Sequence, residues 1–294
     1  MRIWRWWAAE VDRERDVRPL ALLRILAPGC VLIDLLHATA IGMNPWYFRT
    51  AAHGGLGATP SEAYLLGEPL GALFAWGGTV GCMALASLGI ATRPALLAGA
   101  LLYAQLGHLY PPGDRGIDRI LRTVLLILAF SGVHQRWSVQ NWFFQEPIVE
   151  KVAGWPFLLI RWLLVLVYVS AGVAKLIDEP TWLSWSAPFP PLYRLLGDPL
   201  SSDVDPRWLA GWIPLMRVGS AYTIVVELAA VLILTRWRKF WAIPGAFIHV
   251  GIASTMVLGM FSYGMLALYC VLVDDWLCRL FDRIPALRNP SGAT

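Results

Sequence analysis

Lysine is scarce in this chain: Lys151, Lys175 and Lys239 stand against 21 arginines. Lys151 and Lys239 lie in basic connections, whereas Lys175 closes a long apolar run just after Ser170-Ala171-Gly172. Arginine keeps its proton in any protein, but a desolvated lysine can release it and act as a base. The same position also suits a lysine that snorkels to lipid headgroups. The residue types alone leave both readings open. Other ionisable groups fall inside apolar runs, where each is costly unless paired or turned to a cavity. Counted from the cytosolic ends, Asp34, His37 and His108 share the outer leaflet with Lys175, and His249 lies near a midplane. Tyr110, Asp114, Asp118 and Arg119 precede the fourth run at the same level, so a polar cavity opening outward is expected. Arg24 and Glu227 come out at similar depths in the cytosolic half and are expected to form an ion pair tying two helices.

The elements that must position these groups are membrane helices. The 294 residues are 57% hydrophobic and only 15% charged, with a mean hydropathy of +0.56. Runs of about 20 apolar residues, each able to cross a hydrocarbon core, recur along the chain. The expected spans are 20–41, 69–90, 94–109, 117–133, 156–176, 212–235, 240–257 and 263–281, which makes an all-α bundle of eight helices. Arg2, Arg5, Arg13, Arg15 and Arg18, with Arg93, Arg136, Lys151, Arg236, Arg238, Lys239, Arg279, Arg283 and Arg288, fall on one side. Only Arg49, Arg115, Arg194 and Arg207 fall on the other, which puts both termini in the cytosol. The expected organisation is a leader (1–18), a transmembrane domain (19–281) and a cytosolic tail (282–294). The leader lacks a signal-peptide cleavage site, and its alternating Trp and Arg suit either a surface helix or a solvated segment. The Pro-rich, acidic connection 177–211 is either a lid over a site or a plain linker.

Several classes are excluded. Cys30, Cys82, Cys270 and Cys278 form no CxxC pair and no zinc spacing with histidine, so no metal is expected. The net charge of +4 is sorted by loop and does not point to nucleic acid. No inverted repeat with paired broken helices supports a transporter.

The run Tyr168-Val169-Ser170-Ala171-Gly172-Val173-Ala174-Lys175-Leu176, followed by Trp182, resembles the segment around the essential lysine of vitamin K-dependent γ-glutamyl carboxylases. His249 and the run Gly259-Met260-Phe261-Ser262-Tyr263-Gly264-Met265-Leu266 resemble that family's seventh-span region. Arg136-Trp137-Ser138-Val139, Arg24, Gly89 through Arg93 and Glu227 follow in matching order, so the resemblance covers about residues 17–281. This membrane core is also called the horizontally transferred transmembrane domain. The resemblance implies a reduced vitamin K or related lipid-soluble quinol, deprotonated by Lys175, which reacts with O2 to an epoxide and a transient strong base. That base takes a γ-proton from glutamate, and the carbanion takes up CO2. It further implies a pocket drawn from His249, Phe261, Ser262, Tyr263, Trp182, Tyr168, Tyr110 and Asp118.

Two departures bear on substrate. The family's large lumenal domain has no counterpart between Phe281 and Thr294, and where the family has an Asn-His pair this chain offers Asp118-Arg119 or a neighbour. The expectation is therefore a membrane enzyme of the carboxylase type in a bacterial inner membrane. Its site faces the periplasm, among lipid, with a peptide or protein substrate on the outer side. The alternative is a quinone-binding maturation or accessory protein without carboxylase activity.

Overall fold

The structure is a computed structural model that describes residues 2–47, 49, 54–55, 70–145, 147–186, 188–198 and 202–287. Most of the connection 42–68, and the tail from residue 288, lie outside the described residues. Where hydrocarbon offers no partner for a backbone N–H or C=O, an apolar run satisfies both internally only as a helix. The main helices are α1 (Arg2–Asp12), α2 (Arg18–Ala40), α3 (Leu70–Leu88), α4 (Thr92–Leu109) and α5 (Gly116–Phe130). They are followed by α6 (Trp155–Asp178), α7 (Ile213–Leu228), α8 (Arg238–Thr255), α9 (Phe261–Leu268) and α10 (Asp274–Asp282). Among the described residues, four helices are long and apolar enough to cross a membrane: Arg18–Ala40, Gly71–Leu88, Trp155–Asp178 and Ile213–Leu234.

Each expected span falls on a helix, with two differences. The sixth changes from α7 to a 3-10 segment at Ala229–Leu234, one residue beyond Glu227 and directly after Leu228. The eighth is interrupted: α9 ends at Leu268, a 3-10 turn covers Tyr269–Val271, and α10 starts afresh at Asp274. The cause of the second break is legible in the chain. Asp274 and Asp275 favour a helix N-terminus through the dipole, and Arg15 Nη1 holds Asp274 Oδ2 at 3.1 Å. Among the described residues, one short strand pair joins the helices, Arg15–Asp16 antiparallel to Lys151–Val152.

The helices gather into two compact units, one of residues 1–157 with 274–294 and one of residues 158–273. In the first, α3 packs on α2 and α4, and α5 on α4 and α2. Small residues let these helices approach closely, as membrane packing requires. A Cβ built at Gly99 would lie 2.2 Å from Met83 Cε.

Arg24 is the centre of this unit and is fully buried. Its Nη1 donates to the carbonyls of Ala86 (2.8 Å) and Ser87 (3.3 Å), and its Nη2 to those of Arg136 (3.1 Å) and Trp137 (2.8 Å). The first two belong to the last turn of α3, whose carbonyls have no partner within the helix. One guanidinium therefore closes a helix end and pins the 136–138 turn to it. Gly89 is required at the meeting point. Its φ is +75°, and a Cβ there would lie 2.7 Å from Ser138 Cα and 2.8 Å from Arg24 Nη1. The expected Arg24–Glu227 pair is thus corrected: Arg24 turns both its Nη groups to backbone carbonyls, and Glu227 takes a different cation. Residue counts along each helix gave a depth but not a direction around the axis, and direction chose the partners.

In the second unit, α7 packs on α8 and α8 on α9. Arg161 repeats the device of Arg24, donating from Nε (2.9 Å) and Nη2 (2.7 Å) to the carbonyl of Val271 at the end of the 3-10 turn. The connection 177–211 is no plain linker. It forms a 3-10 turn at Pro180–Leu183 and helices at Pro191–Gly197 and Pro206–Ala210. Its Leu196 and Leu209 are buried with Met216 of α7, and Ser202 Oγ donates to the carbonyl of Thr255 at 2.5 Å.

Candidate functional site

The site is built on one stripe of α6. Tyr168, Gly172 and Lys175 recur at i, i+4 and i+7, which sets them on one face of a helix. Gly172 matters because it has no side chain: a Cβ would sit 3.1 Å from Glu227 Cβ and from Leu228 Cδ2. The helices α6 and α7 therefore meet closely there, and Lys175 Nζ reaches Glu227 Oε1 at 2.6 Å. The lysine side chain is 25% exposed and the glutamate 9%, so Lys175 turns inward to a partner. Its ammonium also lies over the Trp182 ring, 5.4 Å from the centroid. Trp182, in the 3-10 turn after α6, is itself buried and so covers the lysine.

One turn of α6 below Gly172, the buried Tyr168 hydroxyl lies 2.5 Å from His249 Nε2 and 2.7 Å from the Tyr269 hydroxyl. The histidine comes from α8 and Tyr269 from the 3-10 turn after α9. Gly245, one turn before His249 on α8, makes room for them, since a Cβ there would lie 2.4 Å from the Tyr269 hydroxyl oxygen. Trp241 closes the group. Its ring meets that of Tyr168 edge-on at 4.9 Å, and its Nε1 donates to the carbonyl of Val226 at 3.0 Å. The Phe261 ring lies 5.7 Å from that of His249.

Three buried polar atoms here have no hydrogen-bond partner among the described residues: His249 Nδ1, Glu227 Oε2 and Ser262 Oγ. Buried polar groups are nearly always satisfied, so each of the three keeps a hydrogen-bonding capacity that a further polar group could meet. Together the residues offer a lysine–carboxylate pair for moving a proton, a Tyr–His–Tyr chain for orienting one, and aromatic walls for a planar ring.

The structure brings together Lys175, Tyr168, Trp182, His249, Phe261 and Ser262 within the second unit. Tyr263 is not among them. It is 53% exposed, because on α9 it lies on the opposite face from the buried Ser262 and Gly264. Tyr110 and Asp118 belong to the first unit. There the Asp118 carboxylate accepts from Tyr103 Oη (2.6 Å) and from Arg115 N (2.9 Å) and Nε (3.0 Å). Arg115 also binds Asp34. Asp118 is thereby the N3 half of a cap that starts α5, a structural duty that its spacing from Arg115 encodes.

Sequence reasoning missed Tyr269, Trp241 and Arg161. One signal was available: Arg161, Tyr168 and Lys175 recur every seven residues in an otherwise apolar run, a polar seam on one helix face. For Trp241 and Tyr269 nothing in the spacing distinguished them from interfacial aromatics.

Gly245→Ala tests the packing of this group. The new methyl displaces the Tyr269 hydroxyl, so the Tyr168–Tyr269 hydrogen bond is lost and the melting temperature in detergent falls by an amount equivalent to roughly 1–3 kcal/mol. An unchanged melting temperature would show that the close approach is not maintained.

A family model for the HTTM domain matches residues 120–276. The match spans more than half of the chain and takes in α6 to α9 with every residue of the site just described. The chain belongs to the HTTM domain family. No curated protein and no solved structure matches it. The HTTM domain is associated with vitamin K-dependent carboxylase-type membrane proteins, and the four apolar helices fit an integral membrane protein. Tyr110 and Asp118 fall outside the matched stretch.

Proposed function

We propose that this HTTM protein is a quinol-dependent, O2-using membrane enzyme of the carboxylase type, with Lys175 as its base. The observation that carries the reading is Lys175 turned inward onto Glu227 at 2.6 Å, under Trp182 and above the Tyr168–His249–Tyr269 group. In a desolvated site two opposite charges lose much of their solvation, so a neutral amine beside a protonated carboxyl competes with the ion pair. Lys175 Nζ would pass a proton to Glu227 Oε1 and use the freed lone pair to take the proton of a hydroquinone hydroxyl. His249 Nδ1 and Ser262 Oγ, buried and unpartnered, would orient the ring oxygens, with Phe261 and Trp241 along its faces. A bound reduced vitamin K or similar quinol would supply the reducing power that activates O2 for epoxidation and for carboxylation of glutamyl groups by CO2. The wider reading has eight spans with both termini cytosolic, in a bacterial inner membrane, with the site opening to the periplasm and a peptide or protein substrate there.

A second reading is a quinone-binding maturation or accessory protein. It is favoured by the ion pair itself, because a lysine that keeps a carboxylate partner keeps its proton. Turnover separates the two. Quinone epoxide forms only with reduced quinone, O2 and intact Lys175 if the protein is an enzyme, and in no combination if it only binds.

Glu227→Gln sharpens the test. As the proton acceptor of Lys175, Glu227 is expected to lower kcat by roughly a hundredfold when replaced, with a changed pH profile. If Glu227 only ties α7 to α6, the variant melts earlier and turns over with unchanged kcat.

A further inference from the structure

Tyr168, His249 and Tyr269 are buried and joined by two contacts, Tyr168 Oη to His249 Nε2 at 2.5 Å and to Tyr269 Oη at 2.7 Å. Among the described residues, these are the only hydrogen bonds their side chains make. Helix α8 closes against the Tyr269 hydroxyl, since a Cβ at Gly245 would lie 2.4 Å from its oxygen. The hydrogens available then decide the direction of both bonds. A tyrosine hydroxyl carries one hydrogen, and a neutral imidazole carries one on either of its nitrogens. Tyr168 cannot donate to both neighbours, which leaves three arrangements. If Tyr269 donates to Tyr168 and Tyr168 to Nε2, both hydroxyl hydrogens find an acceptor, and the ring carries its own on Nδ1. If the chain runs from Nε2–H through Tyr168 to Tyr269, the Tyr269 hydrogen has none. If both neighbours donate to Tyr168, the Tyr168 hydrogen has none. An imidazolium, protonated on both nitrogens, falls into the second or third arrangement. Nδ1 is without a partner in all three, so it does not choose between them. A buried hydroxyl hydrogen without an acceptor carries its full desolvation cost, and the first arrangement alone avoids it.

We propose that Tyr168 is a positioning residue that fixes His249 as a neutral imidazole with its hydrogen on Nδ1, so that the histidine serves the site as a hydrogen-bond donor and not as a base. Nε2, the nitrogen that could take up a proton, is occupied by the Tyr168 hydrogen. The part this plays in catalysis rests on the quinol reading above, whereas the tautomer itself does not. On that reading, a ring oxygen turns anionic when Lys175 takes the hydroquinone proton. An Nδ1–H group would stabilise that oxygen, as preorganised donors stabilise developing charge, and would not compete with Lys175 for the proton. The oxygen suited to His249 is therefore a phenolate or carbonyl acceptor.

The test is solid-state nitrogen NMR of the full-length protein in lipid bilayers with isotope-labelled histidine, where protonated and bare ring nitrogens resonate far apart. The chain has five histidines. His249 is assigned by the signals lost in His249→Gln and by its contact with the Phe261 ring, 5.7 Å away. The wild type is expected to show Nδ1 protonated and Nε2 bare, about tenfold or more over the other tautomer. Tyr168→Phe keeps the ring against Trp241 and removes only the hydroxyl. It is expected to raise the Nε2–H tautomer to a comparable or larger population. Tyr269→Phe leaves the bond from Tyr168 to Nε2 in place and is expected to keep the wild-type tautomer. General loosening of the group, which both variants would cause, is thereby told apart from loss of the donor. A wild type with hydrogen on Nε2 or on both nitrogens overturns the proposal. So does an unchanged tautomer in Tyr168→Phe, or a Tyr269→Phe protein that shifts as far as Tyr168→Phe. The measurement holds no quinone, so a protein that shows this tautomer yet forms no epoxide loses the enzymatic reading and keeps the assignment of Tyr168.

Discussion

Lys175→Arg is expected to abolish quinol-dependent epoxide formation, leaving no more than roughly a thousandth of the wild-type rate. The substitution is chosen because it separates charge from chemistry. A guanidinium can still lie against Glu227 and over Trp182, so the 2.6 Å contact has a substitute and the fold is kept. What it cannot do is give up a proton at any workable pH. A lysine that only anchors the end of α6 would tolerate the change, and such an enzyme would turn over normally. Lys175→Ala gives the complementary readout. It removes the base and also leaves the buried Glu227 without its cation, a loss of roughly 3–5 kcal/mol for a broken buried pair. Inactive and less stable for alanine, inactive and equally stable for arginine, is the expected pattern. Epoxide chromatography and melting in detergent measure the two axes. An active arginine variant would remove the catalytic assignment and leave the ion pair as a helix tie.

The second large effect is on stability. Arg24→Leu is expected to be the most damaging single substitution in the first unit, with a loss of roughly 3 kcal/mol or more, since it strands carbonyls buried away from water. Four carbonyls now accept from Arg24, at 2.8 to 3.3 Å, and that of Ala86 keeps a second donor in the N–H of Gly89. Arg24→Lys should rescue little. A single ammonium cannot span the end of α3 and the 136–138 turn, which the guanidinium fork joins from two nitrogens. Both variants should melt well below wild type, or fail to accumulate. A lysine variant as stable as wild type would mean that the charge, not the fork, is what the site needs.

Arg24, Gly89 and the Arg136-Trp137-Ser138 turn read in sequence as separate fragments of a resemblance. In the structure they are one node. Gly89 lacks a side chain because Ser138 and Arg24 occupy the space, and Ser138 Oγ donates to the Gly89 carbonyl at 2.6 Å. Their order along the chain could suggest a family, but not that they touch.

Composition and hydropathy alone determined that this is a chain of apolar helices, because a run of apolar residues in hydrocarbon has one way to satisfy its backbone. The helical positions followed closely: α2 spans Arg18–Ala40 where 20–41 was expected, and α6 spans Trp155–Asp178 where 156–176 was expected. The sequence also singled out Lys175, as the lysine an arginine-rich chain keeps inside a span, and the residues Tyr168, His249, Phe261 and Ser262. What it could not determine was partnership. Depth along a helix is read by counting residues. The direction of a side chain around the axis, and the level at which two helices cross, depend on which helices pack together and how closely. Gly172 let α7 approach, so Glu227 met Lys175 and not Arg24. Gly245 let the Tyr269 hydroxyl reach Tyr168, and the breaks after Leu228 and Leu268 lie beside those groups. Tertiary packing made those choices, because contacts between helices far apart in sequence leave no periodicity in either one.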